Sequence, residues 1–384
     1  MGPLQGVTII ELAGIGPAPF AGMLLADMGA RVVRVDRRED ADLGIPGRAP
    51  KFDVLARGRQ SIALDIKSEA GREIVLRLAA SADALIEGFR PGVIERLGIG
   101  PDVLLKANPR LVVGRMTGFG QDGPWADRAG HDIDYIALSG ALHAFGRKGE
   151  APLPPLNLVG DFGGGGMFLA FGVVCAILEA RASGKGQVVD AAMVDGAAYL
   201  MAMIFGMRSA GRWADERGVN ILDTGAPWYD TYRTKDGKWL AVGAIEKKFY
   251  AELLDRLGLA GRPDLPGQFE MKRWDELRRI FAETIALRTR DEWEAVFDGS
   301  DACVAPILSL DEVAQHPHMA ARGVIVDVDA VRQPAPAPRF SRTAPQMGRA
   351  PVAAGSDDDA VLQAAGYSAA EIAKLKSSGV VGRA

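Results

Sequence analysis

The chain has little cysteine, little histidine and no long run of one charge. Two cysteines in 384 residues, Cys175 and Cys303, stand far apart in apolar surroundings, which argues against a disulfide framework or a thiolate metal cluster. The 45 Lys and Arg residues nearly balance the 49 Asp and Glu, and no basic block interleaves with aromatics, so nucleic acid is not an expected partner. The longest apolar run, Met167 to Leu178, falls short of the roughly 20 residues that a bilayer crossing needs and is followed by Glu179. It reads as a buried helix, and no membrane partner is expected. The first residues do not form a charged-then-apolar leader, and Val380 to Ala384 is not a peroxisomal address, so a reducing cytoplasm is the expected setting.

What is present is alternation. Val7 to Leu12 is a β-branched run, Pro19 to Met28 carries apolar residues at helical spacing, and Arg31 to Val35 is a second strand candidate. The pattern repeats with Ser61 to Leu64, a helix from Ser68 to Ala80 capped by Ser68, Ala84 to Ile86, a helical turn from Val93 to Leu97, and Leu111 to Arg115. This predicts a Rossmann-like α/β domain whose parallel sheet is covered on both faces and binds ligands at the carboxyl ends of its strands. Arg37, Asp65-Ile66-Lys67 and Gly88-Phe89-Arg90 each follow a strand and are placed to converge there. The loop from Gly14 to Pro19, with Asp36 beyond it, superficially matches a dinucleotide fingerprint. Pro17 and Pro19 carry no N–H, however, and remove the donors that a pyrophosphate needs, which rules against a nicotinamide cofactor.

Further on, Phe168 to Ala180 reads as an apolar helix, Gln187 to Ala191 as a strand, and the Met-rich stretch Met193 to Met207 as one helix of the core rather than an adaptable acyl surface. The composition then changes. Asp236-Gly237 between Thr231 to Thr234 and Trp239 to Val242 is a hairpin signal, and helices are expected at Trp274 to Leu287 and Arg290 to Phe297. A chain of this length suggests about two domains. The expected division is a large domain over 1–200 completed by 335–384, a small α+β domain over 229–316, and linkers at 201–228 and 317–334. Gln333 to Pro338 reads as a stiff connector, and Asp357 to Lys376 as helical.

Candidate chemistry concentrates between Gly130 and Gly166. His131 lies in Gly130-His131-Asp132-Ile133-Asp134-Tyr135, and Asp161 lies in Asn157-Leu158-Val159-Gly160-Asp161-Phe162, ahead of Gly163 to Gly166. Asp132 is expected to cap a helix running through Leu142, holding the imidazole at a helix entrance. Four successive glycines are poor helix formers and point to close approach of a ligand. An imidazole and a carboxylic acid together can remove a weakly acidic C–H proton on one face and return one on the other. Free amides at the start of the Asp161 helix would hold the enolate oxygen. Asp161 could equally act as a nucleophile on an acyl group, and the residue types leave both routes open.

These residues resemble the class III CoA-transferase superfamily and, within it, the α-methylacyl-CoA racemases. The likeness runs through Leu12-Ala13-Gly14, Val35-Asp36-Arg37, Glu87 to Val93, Gly130-His131-Asp132-Ile133, Pro155 to Phe162, Gly184 to Val188, Val242 to Glu246, Asp301 to Val304 and Ala337 to Phe340. It implies a cofactor-independent 1,1-proton transfer at the carbon α to a thioester, with CoA carried by the substrate. His131 and Asp161 would serve opposite faces, and Glu246 would assist the histidine from the other subunit of an interlocked homodimer. CoA contacts carry over to Arg37, to Leu64, Asp65, Ile66 and Lys67, to Gly88, Phe89 and Arg90, to Arg96, and to Gly130, Asp132, Ile133, Asp134 and Tyr135. No metal is implied. The alternative within the superfamily is acyl-CoA:carboxylate CoA transfer through an aspartyl-CoA intermediate at Asp161. Asp134 and the pair Lys247-Lys248 depart from the usual racemase pattern.

Overall fold

The structure, a computed structural model, describes residues 2–39 and 49–384. The chain forms two compact units: Met1–Ser139, Leu156–Leu200 and Arg322–Ala384 make the first, and Gly140–Pro155 with Met201–Ala321 the second. This differs from the expected division in three places, one being the expected linker 317–334, which divides between the second unit up to Ala321 and the first unit from Arg322. Residues 140–155 belong to the second unit, and 201–228 are part of that unit's body, where Trp228 is fully buried, rather than a linker.

The first unit is built on six parallel strands: β1 (Thr8–Leu12), β2 (Arg31–Asp36), β3 (Arg59–Ala63), β4 (Ala84–Glu87), β5 (Val112–Thr117) and β6 (Gln187–Ala192). Their order, β3-β2-β1-β4-β5-β6, reverses direction between β1 and β4. Such a switch point opens a crevice at the carboxyl edge where ligands settle. The strands are buried on both sides because neighbouring residues alternate between faces. Ile10, Val33, Ile62, Leu85 and Val113 pack with the helix Glu69–Ala79, whereas Ile9, Val32, Ile86 and Val112 pack with the helices Pro17–Asp27 and Met167–Ser183. Ser68 caps Glu69–Ala79 as expected, accepting a hydrogen bond from the Gly71 amide at 3.0 Å.

Helical backbone runs from Leu158 to Ser183, long and apolar enough by length and composition to cross a membrane. One side is committed to the sheet through Leu169, Val173 and Ile177. The expectation of a fully buried helix fails on the other side, where Met167, Phe171 and Leu178 are exposed. The stretch expected as one helix from Met193 to Met207 is two, Met193–Leu200 and Ala202–Ser209, separated at Met201. Met193 is core, but the second helix buries no residue, and Met203 and Phe205 stand exposed.

In the second unit β7 (Tyr229–Arg233) and β8 (Trp239–Gly243) form the expected hairpin, and β9 (Val304–Pro306) adds a third antiparallel strand. The helices Lys247–Arg256, Trp274–Ile285 and Arg290–Phe297 close a core around Trp228, Leu253, Leu277 and Phe281. Back in the first unit, β10 (Ile325–Val328) pairs with β11 (Val331–Pro334). The connector expected at Gln333 to Pro338 therefore begins as a strand. The buried Gln333 side chain accepts from Arg57 Nη1 at 2.9 Å, and Arg57 is itself paired with buried Asp27.

Candidate functional site

The loops of interest leave the carboxyl ends of the parallel strands. Arg37 follows β2, Leu64 to Lys67 follow β3, Gly88 to Arg90 follow β4, and the excursion after β5 leads to Gly130 and His131. Arg37, Lys67, Arg90 and Arg96 are exposed, so their cationic ends are available to phosphate oxygens. Leu64, by contrast, is 2 % exposed, and Ile66 and Phe89 pack partly against the same core. Leu64 is therefore buried as a whole, its amide donating to the Asp36 carbonyl at 3.0 Å, and the expected CoA contact at this residue does not fit the structure. The β4 loop is held from below: buried Glu87 accepts from the Phe89 amide at 2.6 Å and from Arg115 Nε at 2.9 Å, and Arg115 reaches Glu95 at 2.7 Å. Burial pushes the Glu87 carboxyl up.

His131 is the residue before the helix Asp132–Leu138, with extended backbone angles, and its ring is exposed. Asp134 Oδ2 accepts from the His131 amide at 2.9 Å, which fixes the entry to this helix. The helix ends well before Leu142, because the chain turns at Gly140 with φ 85°. Tyr135 packs edge-on against Phe119 and donates its hydroxyl to the Gly130 carbonyl. Burial, reinforced by Asp161, Asp134 and Asp132, pushes its phenol up to about 12.

Asp132 does not cap its own helix. Its Oδ2 accepts from the amides of Gly160 at 2.6 Å and Asp161 at 2.7 Å, while Oδ1 is buried and has no hydrogen-bond partner among the described residues. Amides near the start of the Asp161 helix were expected to hold an enolate oxygen, and two of them, those of Gly160 and Asp161, are already engaged. Asp161 lies in a π-helical segment, Leu158–Gly166, a wide backbone geometry that occurs often at functional sites. Its half-buried carboxylate accepts from Asn157 Nδ2 at 3.2 Å, and a Cβ on Gly16 would sit 3.5 Å from Oδ2. Gly16 adopts φ 68°, a left-handed conformation that glycine takes without strain, so the β1 loop closes on Asp161.

Burial raises the Asp161 carboxyl above its ordinary range. The Asn157 hydrogen bond opposes that, the Asp132 charge adds to it, and His131 lowers it. The prediction is direct: Asp132→Asn keeps an acceptor for the two amides but removes the charge, so the Asp161 pKa falls. A limb of the pH profile set by Asp161 should move toward acid, which a profile of kcat/KM checks. An unmoved limb would mean that the two carboxylates do not communicate.

The glycine run is explained by the protein itself. Gly164 meets Gly196 and Ala197, Gly165 meets Met193 and Pro17, and Gly166 meets Phe20 and Pro17, whose helix also stacks Phe20 on Phe162 at 4.6 Å. Helices approach where a side chain would intrude, and the expectation of a ligand at these glycines is corrected. Glu246 is in the second unit, exposed, at the residue before the helix Lys247–Arg256. It lies close enough to Cys303 to add to the upward push that burial gives the thiol. Among the described residues no group of three or more His, Cys, Asp or Glu side chains is spaced to hold a metal ion. Asn157 and Gly16 were absent from the residues expected at the site. A polar side chain four positions before Asp161 was the available signal for Asn157.

Residues 4–358 match the sequence profile of CoA-transferase family III. The chain belongs to that family. It is 47% identical over 381 residues to an α-methylacyl-CoA racemase of Mus musculus, an alignment covering 98% of this chain and 97% of the relative. The α-methylacyl-CoA racemase of Homo sapiens is 44% identical over the same shares. Among solved structures, a CAIB/BAIF family protein from Brucella suis superposes with a TM-score of 0.81 at 25% identity, over 95% of this chain and 99% of that one.

Proposed function

We propose that this family III protein is an isomerase that interconverts the (R) and (S) forms of a 2-methylacyl-CoA thioester by 1,1-proton transfer through an enolate. The observation that carries the reading is the hydrogen bonding of Asp132, the residue after exposed His131, to the amides of Gly160 and half-buried Asp161, which joins the two segments in a chain aligned with two racemases across nearly its whole length. A proton α to a thioester is weakly acidic, so removing it calls for a base next to the carbon, and inversion calls for an acid on the other face. Burial raises the Asp161 carboxyl and so makes it a stronger base than a carboxylate in water, and the imidazole supplies the second proton-transfer group. Arg37, Lys67, Arg90 and Arg96 bind the phosphates of the CoA portion, and the chemistry needs no separate cofactor. The same reading includes a homodimer in which Glu246 supports the catalytic histidine across the subunits. The exposed Met167, Phe171 and Leu178 on one helix offer an apolar face for such an association to cover.

The test is incubation of one enantiomer of a 2-methylacyl-CoA in D2O. Racemisation accompanied by one deuterium at C2 is the expected result. Retained configuration, with CoA passing to an added carboxylate, would replace the racemase by the aspartyl-CoA route at Asp161.

A further inference from the structure

Residues 380–384 return to the carboxyl edge of the sheet and grip two loops together. The Asp65 amide donates to the Val380 carbonyl at 2.9 Å, and the Gly382 amide donates to the Ala63 carbonyl at 3.0 Å. Between them Leu64 and Val381 form an antiparallel bridge, and both side chains sit in the core under β3, 2 % and 3 % exposed. The segment then crosses to the β2 loop, where Arg38 Nε donates to the Gly382 carbonyl at 2.8 Å and the Ala384 amide donates to the Arg38 carbonyl at 3.1 Å. Gly382 makes this crossing with φ 96°, a conformation that an L side chain resists.

The two loops so joined carry the exposed cations Arg37 and Lys67. Asp65 also sets the local geometry of Lys67, because Asp65 Oδ1 accepts from the Lys67 amide at 3.0 Å. Arg38 is turned to the segment, while its neighbour Arg37 is exposed. Val380, Val381 and Gly382 bring no group that could move a proton.

We infer that Val380–Ala384 is a positioning strap: it holds Arg37 and Lys67 at the spacing that the phosphates of a CoA thioester require, and it takes no part in the proton transfer. The inference rests on the reading that these two cations contact CoA. A positioning element of this kind acts on binding shared by ground state and transition state, so it changes KM and leaves kcat alone.

The experiment compares Gly382→Val and Arg38→Gln with the unaltered protein, using one 2-methylacyl group carried either by CoA or by pantetheine, which lacks the phosphates. Both variants should raise KM for the CoA thioester about tenfold, the equivalent of one weakened charge-assisted contact. Their kcat, and their KM for the pantetheine thioester, should stay unchanged. An equal change for both thioesters, or an unchanged preference for CoA, overturns the strap. If the unaltered protein does not prefer the CoA thioester, or Arg37→Ala and Lys67→Ala leave that preference intact, the CoA-contact reading itself is wrong. Should Gly382→Val fold poorly, Arg38→Gln decides, because Arg38 is only half-buried and belongs to none of the hydrophobic cores.

Discussion

His131→Ala and Asp161→Asn each slow racemisation of a 2-methylacyl-CoA by roughly 100- to 10,000-fold, the range set by losing one positioned acid or base. The two groups are not interchangeable, because their surroundings differ. His131 stands exposed at a helix entrance held by Asp134, whereas Asp161 is half-buried and its carboxyl is raised by that burial. Asn at 161 is nearly isosteric and can still accept from Asn157, so a loss of rate reports proton transfer rather than collapse of the segment. Deuterium uptake at C2 measured alongside optical rotation checks both variants. Near-normal uptake in either would defeat the two-base scheme. If His131→Ala left CoA transfer to a carboxylate intact while Asp161→Asn abolished it, the covalent aspartyl route would take its place.

The parallel sheet was legible because its strands are apolar on both faces: Ile9-Ile10 and Val32-Val33 divide between two cores, as a doubly covered sheet requires. Local caps such as Ser68 were legible for the same reason, since cap and amide lie three residues apart. What escaped was mostly hydrogen bonding and packing whose partners are distant in sequence. Asp132 carries the right side chain to cap its own helix, yet it serves Gly160 and Asp161, and no local pattern distinguishes the two uses. The break at Met201 was hidden because Leu200, Met201, Ala202 and Met203, all good helix formers, run straight through it. Glu246 was nameable only through resemblance, as an acid ahead of two lysines has no chemistry of its own to announce. The glycine run after Asp161 was read as room for a ligand because glycine signals close approach without naming what approaches.

Gly196→Ala is expected to destabilise the first unit by about 3 kcal/mol, at the upper end of the usual cost of overpacking. A Cβ on Gly196 would fall within the van der Waals envelope of the Gly164 carbonyl, and one on Gly164 would lie 2.5 Å from the Ala197 amide nitrogen. Both obstacles are backbone, so neither can swing aside as a side chain would. The helix Met193–Leu200 must then move off the segment Leu158–Gly166, which carries Asp161, and racemisation should fall with stability. Gly206→Ala is the comparison. Gly206 is also helical, but nothing lies within 4 Å of a Cβ there, so the substitution should gain about 0.5–1 kcal/mol from helix propensity alone. The thermal unfolding midpoint should fall for Gly196→Ala and hold or rise for Gly206→Ala. If both substitutions were tolerated, the backbone contact would not set the spacing of these helices, and the run from Gly163 to Gly166 would again require a ligand to explain it.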